Sequence, residues 1–378
     1  MILKKILIVF GTRPEAIKMA PVVTALKANP LFETRVCVTA QHRDMLDQVL
    51  SLFDIVPDYD LDLMTSQQTL VNLSTKVLQC ISEVISQFKP DLVLVHGDTT
   101  TTSMSATACF YQRVPVGHVE AGLRTGNIWS PWPEEFNRRL TGLVTQLHFA
   151  PTEQACLNLL AEKIPIESIH VTGNTVIDAL LNISNRIDNV PLLDAQLHKK
   201  FNFLDSSKRI LLVTGHRREN FGDGMQSICQ ALITLSNRDD LEIVYPVHRN
   251  PNVTGPVEEY LANHPNIHLL DPLDYLSFVY LMKRCSIILT DSGGIQEEAP
   301  ALGKPVLVMR DTTERPEAVA VGTALVVGTD SMNIVRVVTI LLDDESAYQQ
   351  MSRSFSPYGN GTAAQRICSF IEKYFALR

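Results

Sequence analysis

Short apolar runs rich in Val, Ile and Leu alternate with amphipathic segments along nearly the whole chain, and this alternation limits the folds available to it. Several of these runs, such as residues 6–10 and 92–96, stay apolar at consecutive positions. That pattern is typical of parallel strands that are covered on both faces. The intervening segments, such as residues 70–88, place apolar residues at helical spacing. The alternation therefore predicts doubly wound α/β domains, in which helices cover both faces of a parallel sheet.

A polar interval separates the predicted strands into two groups. The first group comprises residues 6–10, 35–39, 92–96, 115–119 and 147–150. The second group comprises residues 210–214, 242–246, 267–270, 287–290, 305–309 and 324–327. Predicted helices lie between the strands, for example at residues 17–27, 45–53, 70–88, 152–162 and 276–284.

The length of 378 residues also favours two domains over one. The least patterned stretch lies at about 182–208, so we place a linker at about 185–205 between domains at 1–185 and 205–358. The amphipathic segment at 360–378 is expected to pack back on the first domain. Two similar Rossmann-like sheets that face a central cleft are the predicted architecture.

Charge and cysteine usage exclude some classes of partner. The 33 Lys and Arg residues against 41 Asp and Glu give a net charge of −8, and no block of like charge occurs. This argues against nucleic acid or an anionic membrane as the main partner. The seven cysteines are scattered and never form C-x-x-C, so we expect free, buried thiols in a reducing cytosol. The short apolar N-terminus indicates a first strand rather than a signal peptide or a membrane span, so we expect a cytoplasmic protein.

Polar residues cluster where the predicted strands end, and ligands of open α/β sheets sit beyond the carboxyl ends of the strands. Clusters of this kind are residues 11–15 (GTRPE), 96–99 (HGDT), 118–124 (HVEAGLR), 215–220 (GHRREN) and 291–294 (DSGG). Both predicted domains contribute, so we expect a site between them.

The stretch LTDSGGIQEEAPALGKP, residues 289–305, contains opposing signals. Its small residues at a strand-to-helix turn suit a phosphate, because the first N–H groups of a helix attract anions. Glu297 and Glu298 follow within a turn, and carboxylates repel phosphates. Either this is no anion site, or one glutamate binds a neutral part of the ligand.

Arg13 and Lys18 follow the first predicted strand, with Pro14 at a helix start. They either bind an anion or are solvated charges beside a tight turn. The stretch matches neither a Walker loop nor G-x-G-x-x-G, so an ATPase or a dinucleotide enzyme is unsupported.

Two histidine–carboxylate pairs, His96 with Asp98 and His118 with Glu120, have i, i+2 spacing and so face the same side of a strand. Such pairs are able to ligate a metal. Alternatively, the carboxylates perform acid–base work while the histidines orient or pack, or both residues of a pair are structural. The chain has no third ligand cluster of recognisable spacing, so metal binding is the least favoured of these three interpretations.

Two further stretches carry charge after a loop entry. SPWPEEFNRRL contains Glu134, Glu135, Arg138 and Arg139, and these charges could simply form i, i+4 helix pairs. LVTGHRRENFGDG is the stronger signal of a functional site, because His216 follows a buried strand and begins a glycine-containing loop with two arginines. Histidine changes its charge near neutral pH more easily than any other side chain.

A series of motifs in order resembles the non-hydrolysing bacterial UDP-N-acetylglucosamine 2-epimerases. The motifs are FGTRPEAIKMAP, VHGDTTTT, GHVEAGLRT, SPWPEEFNR, TGNTVIDAL, GHRREN, YPVH, LTDSGGIQEEAP and RDTTERPE, and they extend from about residue 6 to about residue 360. The resemblance implies a GT-B-like fold, a UDP-sugar substrate and a homodimer. It implies interconversion of UDP-GlcNAc and UDP-ManNAc for surface polysaccharide, by anti elimination of UDP to 2-acetamidoglucal and syn re-addition. It implies no cofactor and no metal.

The resemblance also implies roles for particular residues. The family's catalytic positions are matched by Asp98, Glu120, Glu134 and His216. Its UDP-binding positions are matched by Arg13, Lys18, Ser292, Gly293, Gly294, Glu298 and Arg315, with Glu298 on the ribose. Positions that bind a second UDP-GlcNAc as an activator are matched by Gln41, Gln68, Arg217 and His248, although some relatives have arginine where this chain has Gln67.

Other activities stay open at this stage. A hydrolysing relative would release ManNAc and UDP, and a glycosyltransferase could share the same architecture. A non-catalytic nucleotide-sugar sensor is the least favoured, because it would not need so many ionisable groups together. A hydrolase must admit water to the reacting sugar, whereas an epimerase must exclude it.

Overall fold

The computed structural model describes residues 3–40, 43–64, 68–353 and 356–377. The chain forms two compact units. Unit 1 comprises Met1–Ala179 and Tyr358–Arg378, and unit 2 comprises Leu180–Pro357.

Strands and helices alternate through both units, as the sequence pattern predicts. The strands are β1 Lys4–Phe10, β2 Phe32–Val38, β3 Tyr59–Asp60, β4 Leu92–His96, β5 Val116–Val119, β6 Leu147–Ala150, β7 Ile169–Val171, β8 Arg209–Thr214, β9 Leu241–Pro246, β10 Ile267–Leu270, β11 Ile287–Thr290, β12 Val306–Val308 and β13 Ala324–Val326. The helices are α1 Arg13–Lys27, α2 Arg43–Leu52, α3 Leu70–Phe88, α4 Thr100–Tyr111, α5 Glu134–Val144, α6 Glu153–Ala161, α7 Thr175–Asn189, α8 Pro191–Lys200, α9 Asp223–Leu235, α10 Pro251–Leu261, α11 Tyr275–Arg284, α12 Gly293–Glu298, α13 Pro316–Ala320, α14 Ser331–Asp343, α15 Glu345–Met351 and α16 Ala363–Ala376.

Each unit is built on its own parallel sheet. Over the described residues, the strands of unit 1 have the order β3-β2-β1-β4-β5-β6-β7, and those of unit 2 have the order β10-β9-β8-β11-β12-β13. Every strand pair is parallel. The strand order reverses between β1 and β4 in unit 1, and between β8 and β11 in unit 2. In doubly wound sheets this reversal opens a crevice beyond the carboxyl ends of the strands, where ligands bind.

All predicted strands are present to within a few residues at their ends, and the predicted α/β class with a GT-B-like pair of Rossmann-type units is confirmed. The short strands β3 and β7 were not predicted. The stretch expected to be a linker at 185–205 is largely helical, because it holds the end of α7 and the whole of α8. The first segment of unit 1 ends at Ala179, within α7.

The start of α1 lies four residues earlier than the apolar pattern indicates. Thr12 caps the helix, and its hydroxyl accepts the N–H of Glu15, while the Glu15 carboxylate accepts the N–H of Thr12. This reciprocal capping box, with Pro14 in the first turn, fixes the exit from β1. Gly11 is required there, because a Cβ at this position would lie 2.1 Å from Thr39 Oγ1.

The C-terminal helix α16 belongs to unit 1 and packs on α1. Asn29 donates a hydrogen bond to Glu372. The His170 and Phe370 rings stack with their centroids 4.1 Å apart. No helix in the described part of the chain is long and apolar enough to cross a membrane.

Candidate functional site

The Glu15 carboxylate joins the ends of β1 and β4, where the strand order of unit 1 reverses. It accepts the backbone N–H of Gly11 at 2.9 Å and that of Thr12 at 2.8 Å. Its second oxygen accepts the hydroxyl of Thr99, the residue that caps α4, at 2.7 Å. The buried Glu15 was not predicted as part of the site, although the T-x-x-E spacing of the capping box is a signal that could have found it.

Glu120 lies just beyond β5 with a φ of 64°, an uncommon backbone conformation for a residue other than glycine. Its carboxylate forms an ion pair with Lys18 and accepts the side-chain N–H of Asn174 at 2.8 Å. His96 Nε2 lies 4.0 Å from the other carboxylate oxygen. Unit 1 therefore brings together a predicted catalytic residue, Glu120, and a predicted UDP-binding residue, Lys18. Asn174 was not predicted, although it lies in the TGNTVIDAL motif.

The histidines of the two H-x-carboxylate pairs are buried. Burial lowers the pKa of His96, so its ring is neutral near pH 7. Burial also lowers the pKa of His118 to about 3. His118 Nε2 lies 2.7 Å from the carbonyl oxygen of Gly97, so the neutral ring donates its N–H to that carbonyl. This contact fixes the residue that precedes Asp98, which is the orienting role considered from the sequence. In the described ranges, no group of His, Cys, Asp and Glu side chains is arranged to hold a metal ion.

Asp98 is held from two sides by α5. Its carboxylate forms an ion pair with Arg138, and its backbone carbonyl accepts the side-chain N–H of Asn137 at 2.9 Å. The Asp98 side chain keeps 31 % of its area exposed. It therefore has a cationic partner in Arg138 and an accessible face.

The adjacent Glu134 and Glu135 have different surroundings. Glu135 is fully buried, and it accepts Arg138 Nη1 at 3.2 Å and Arg139 Nε at 3.0 Å. It also accepts the backbone N–H of Thr125 at 3.1 Å, so its role is structural. Glu134, the first residue of α5, is half-buried, and the described residues provide no hydrogen-bond or ion-pair partner for it. The structural i, i+4 pairing considered for this motif applies to Glu135, whereas Glu134 is available for a ligand.

In unit 2, His216 follows β8 and faces Asp291, which follows β11. The Asp291 Oδ2 atom accepts the backbone N–H of His216 at 2.9 Å and that of Arg217 at 2.8 Å. His216 Nδ1 lies 3.5 Å from Asp291 Oδ1. Burial lowers the pKa of His216, while the Asp291 carboxylate acts in the opposite direction. The two predicted motifs GHRREN and DSGG therefore meet where the strand order of unit 2 reverses.

The residues matched to an activator site are partly brought together. The rings of His216 and His248 stack with their centroids 5.3 Å apart, so a predicted regulatory residue contacts a predicted catalytic one. Arg217 lies in the same loop as His216. Gln68 lies in unit 1, just before α3. Gln41 lies outside the described residues.

The Ser292-Gly293-Gly294 turn leads from β11 into α12. Arg315 lies beside it, because a Cβ on Gly293 would be 3.8 Å from the guanidinium carbon. The buried Glu297 binds Arg315 Nε at 2.5 Å. Glu297 therefore holds the predicted anion-binding arginine in place.

Glu298 ends α12, and the chain continues as a 3₁₀ turn at Ala299–Leu302, as the position of Pro300 indicates. The Tyr275 hydroxyl donates to Glu298 Oε1 at 2.7 Å. Tyr275 was not predicted, because it lies on α11 and the sequence has no signal that links it to Glu298. The two adjacent glutamates thus have separate partners, Arg315 for Glu297 and Tyr275 for Glu298.

Carboxylates gather at the strand ends of unit 1, and a histidine, an arginine and a small-residue turn gather at those of unit 2. Such groups are able to move protons and to bind an anion. With two doubly wound parallel sheets, the chain falls in the class of GT-B-like α/β proteins.

Comparisons with known proteins identify the family. The UDP-N-acetylglucosamine 2-epimerase family model matches residues 24–372. A UDP-N-acetylglucosamine 2-epimerase of Yersinia pestis is 59 % identical over 98 % of this chain and 99 % of its own. The chain belongs to the UDP-N-acetylglucosamine 2-epimerase family.

Solved structures agree with this assignment. The crystal structure of UDP-GlcNAc 2-epimerase from Neisseria meningitidis bound to UDP-GlcNAc superimposes with a TM-score of 0.92 at 51 % identity, over 98 % of this chain and 100 % of that one. The enzyme from Methanocaldococcus jannaschii, in complex with UDP-GlcNAc and UDP, gives a TM-score of 0.80 at 32 % identity, over 98 % and 99 % of the two chains.

Proposed function

We propose that this protein interconverts UDP-GlcNAc and UDP-ManNAc without hydrolysing them. The observation that carries this proposal is the Glu120 carboxylate, which is held by Lys18 and Asn174 at the strand ends of unit 1. A carboxylate fixed in this way is suited to remove a proton from a bound sugar. The UDP-GlcNAc bound to the Neisseria relative supports the choice of substrate.

The chemistry explains why several ionisable groups are needed. The hydrogen on C2 of the sugar is not acidic, because no carbonyl lies next to it. When the bond from C1 to the diphosphate breaks, positive charge develops at the ring, and the C2 hydrogen can then leave as a proton. The proposed route is anti elimination to 2-acetamidoglucal, followed by syn re-addition of UDP with a proton delivered to the other face of C2. Asp98, Glu120 and Glu134 share the acid–base work at C2, and His216 assists the departure and return of UDP.

Unit 2 supplies the proposed UDP site. Ser292, Gly293 and Gly294 present backbone N–H groups to the diphosphate, and glycine permits a close approach. Arg315, oriented by Glu297, adds a cation with a fixed direction. Glu298, oriented by Tyr275, accepts the ribose hydroxyls.

Two cationic residues of unit 1, Arg13 and Lys18, are also proposed to bind UDP. Arg13 opens α1 and Lys18 lies one to two turns later in the same helix. We assign both to UDP. The ion pair with Glu120 gives Lys18 a second task, because an ammonium beside a carboxylate stabilises the ionised form that accepts a proton.

One experiment distinguishes this proposal from the alternatives. The protein is incubated with UDP-GlcNAc in heavy water, and the products are followed by NMR. An epimerase yields a mixture of UDP-GlcNAc and UDP-ManNAc with deuterium at C2. Free ManNAc and UDP would indicate the hydrolysing reaction, and an unlabelled substrate would indicate a glycosyltransferase or a sensor.

We also propose a second UDP-GlcNAc as an activator, bound by Gln41, Gln68, Arg217 and His248. The stack of His248 on His216 supports this, because a ligand on His248 would adjust the catalytic ring. A sigmoidal dependence of rate on UDP-GlcNAc, made hyperbolic by His248→Ala, is expected. A hyperbolic curve for the unmodified protein would contradict the activator.

The family resemblance further supports a cytoplasmic homodimer that supplies ManNAc units for surface polysaccharide. Light scattering at micromolar concentration tests the dimer directly. A mass of one chain at all concentrations would contradict it.

A further inference from the structure

Asp291 is a fully buried carboxylate at the end of β11, and its two oxygens have different surroundings. Oδ2 accepts N–H groups from His216, Arg217 and the side chain of Asn220. These bonds anchor the loop after β8 to the end of β11. They account for one oxygen only.

The other oxygen, Oδ1, is buried and has no hydrogen bond within the described residues. A buried carboxylate oxygen without a donor is costly, so a donor is expected within reach. His216 Nδ1 lies 3.5 Å away, a little longer than a normal hydrogen bond. The His216 side chain is 39 % exposed, so its ring has room to turn. Only a ring that carries its proton on Nδ1 can donate to Oδ1.

We propose that Asp291 is a positioning residue that holds neutral His216 in the Nδ1–H form, which leaves Nε2 as the atom that gains and loses a proton. The part that concerns UDP rests on the proposed function. During elimination, the C1–O bond breaks and its electron pair stays on the β-phosphate oxygen. That oxygen takes the proton from Nε2 of the imidazolium, while the proton on C2 passes to one of the proposed acid–base carboxylates. His216 is left neutral with its Nδ1 proton still facing Asp291, and re-addition of UDP reverses these transfers.

The surroundings of His216 have opposing effects on the pKa of its ring. Burial lowers the pKa of His216 most, and the nearby Arg217 and His248 also lower it, whereas Asp291 raises it. His248 has the other orientation of donors, because its Nδ1 accepts the backbone N–H of Asn250 at 3.2 Å. A neutral His248 therefore carries its proton on Nε2. The two stacked histidines are thus expected to have opposite tautomers.

The test is the tautomer of His216 in protein labelled with ¹⁵N-histidine, measured by NMR at a pH where the ring is neutral. The signals of His216 are assigned by their loss in His216→Gln. The unmodified protein is expected to show a protonated Nδ1 and an unprotonated Nε2. A protonated Nε2 in the unmodified protein would overturn the proposal.

Asp291→Asn sharpens the test. The amide oxygen can still accept the backbone N–H groups of the loop, which places the amide NH₂ toward Nδ1. The ring is then expected to switch to the Nε2–H form, and kcat to fall about 10²-fold with KM nearly unchanged, the scale of one lost proton-transfer group. Asn220→Ala is the matched control, because it removes one contact to Oδ2 and leaves Oδ1 facing the ring, so the tautomer should stay Nδ1–H.

A double-mutant comparison separates positioning from loop anchoring. If Asp291 acts through His216, then Asp291→Asn lowers kcat in the unmodified protein but has little further effect in His216→Gln. Equal losses in both backgrounds, or an unchanged tautomer in Asp291→Asn, would show that Asp291 only anchors the loop. The proposed function can fail separately: a protein that shows no epimerisation but has the expected tautomers would refute the reaction and retain the positioning role.

Discussion

The neutral buried histidines of unit 1 make its stability sensitive to acid. His118 donates to the carbonyl of Gly97, next to Asp98, and burial lowers its pKa to about 3. Burial likewise lowers the pKa of His148, its neighbour in the sheet, to about 4. In the unfolded chain both rings have a pKa of about 6.5. Protons therefore bind preferentially to the unfolded chain, and stability is lost as the pH falls below about 6.5.

The size of the effect follows from these pKa values. Between about pH 6 and about pH 5, each unfolded ring goes from mostly to almost fully protonated, while the folded ring stays neutral. Each histidine then lowers the free energy of unfolding by about 1.2 kcal/mol over this interval. The result depends little on the folded pKa, provided that it lies well below 5.

His118→Gln is the perturbation, because glutamine keeps an N–H donor for the Gly97 carbonyl and cannot titrate in this range. Urea unfolding at about pH 6 and about pH 5 measures the change in stability for each protein. The loss on acidification should be about 1.2 kcal/mol smaller in His118→Gln than in the unmodified protein, because carboxylates contribute equally to both. His148→Gln is the matched control and should give a similar reduction. An identical pH dependence in His118→Gln and the unmodified protein would refute the reasoning.

Two further predictions concern the proposed site. Glu120→Gln removes a proton acceptor while retaining the shape of the side chain, so turnover and deuterium incorporation at C2 should fall at least about 10²-fold, and near-normal turnover would remove Glu120 from the mechanism. Arg315→Ala should weaken UDP binding about 10- to 100-fold in calorimetry, as expected when a charged hydrogen-bonding group is lost. Glu297→Gln keeps a hydrogen-bond acceptor for Arg315 and should have a smaller effect, whereas unchanged UDP affinity in Arg315→Ala would contradict the assignment.

The strand pattern and the strand-end motifs could be predicted because they depend on short stretches of chain. Parallel strands covered on both faces must be apolar throughout, which makes β1, β4 and β8 visible in the sequence. The strands β3 and β7 were missed because they are two or three residues long and lie at the edges of the sheet, where little apolar pattern is required. The helical nature of residues 185–205 was missed because α8 carries no strong apolar stripe.

The sequence by itself determined the class of fold, the family and most of the candidate residues, since backbone propensity and motif spacing act over a few residues. Only the tertiary structure decided which side chains meet. Three pairs of residues that are distant in sequence meet in the fold: Lys18 with Glu120, Asp98 with Arg138, and His216 with Asp291. The last pair is joined by adjacent parallel strands that end at the same edge of one sheet, and in the other two a helix residue meets a residue that follows a strand. Burial and ion pairing then distinguish Glu135, which binds two arginines of α5, from the half-buried Glu134. Those differences arise from the packing of side chains, which depends on contacts between distant residues and cannot be predicted from the order of residues along the chain.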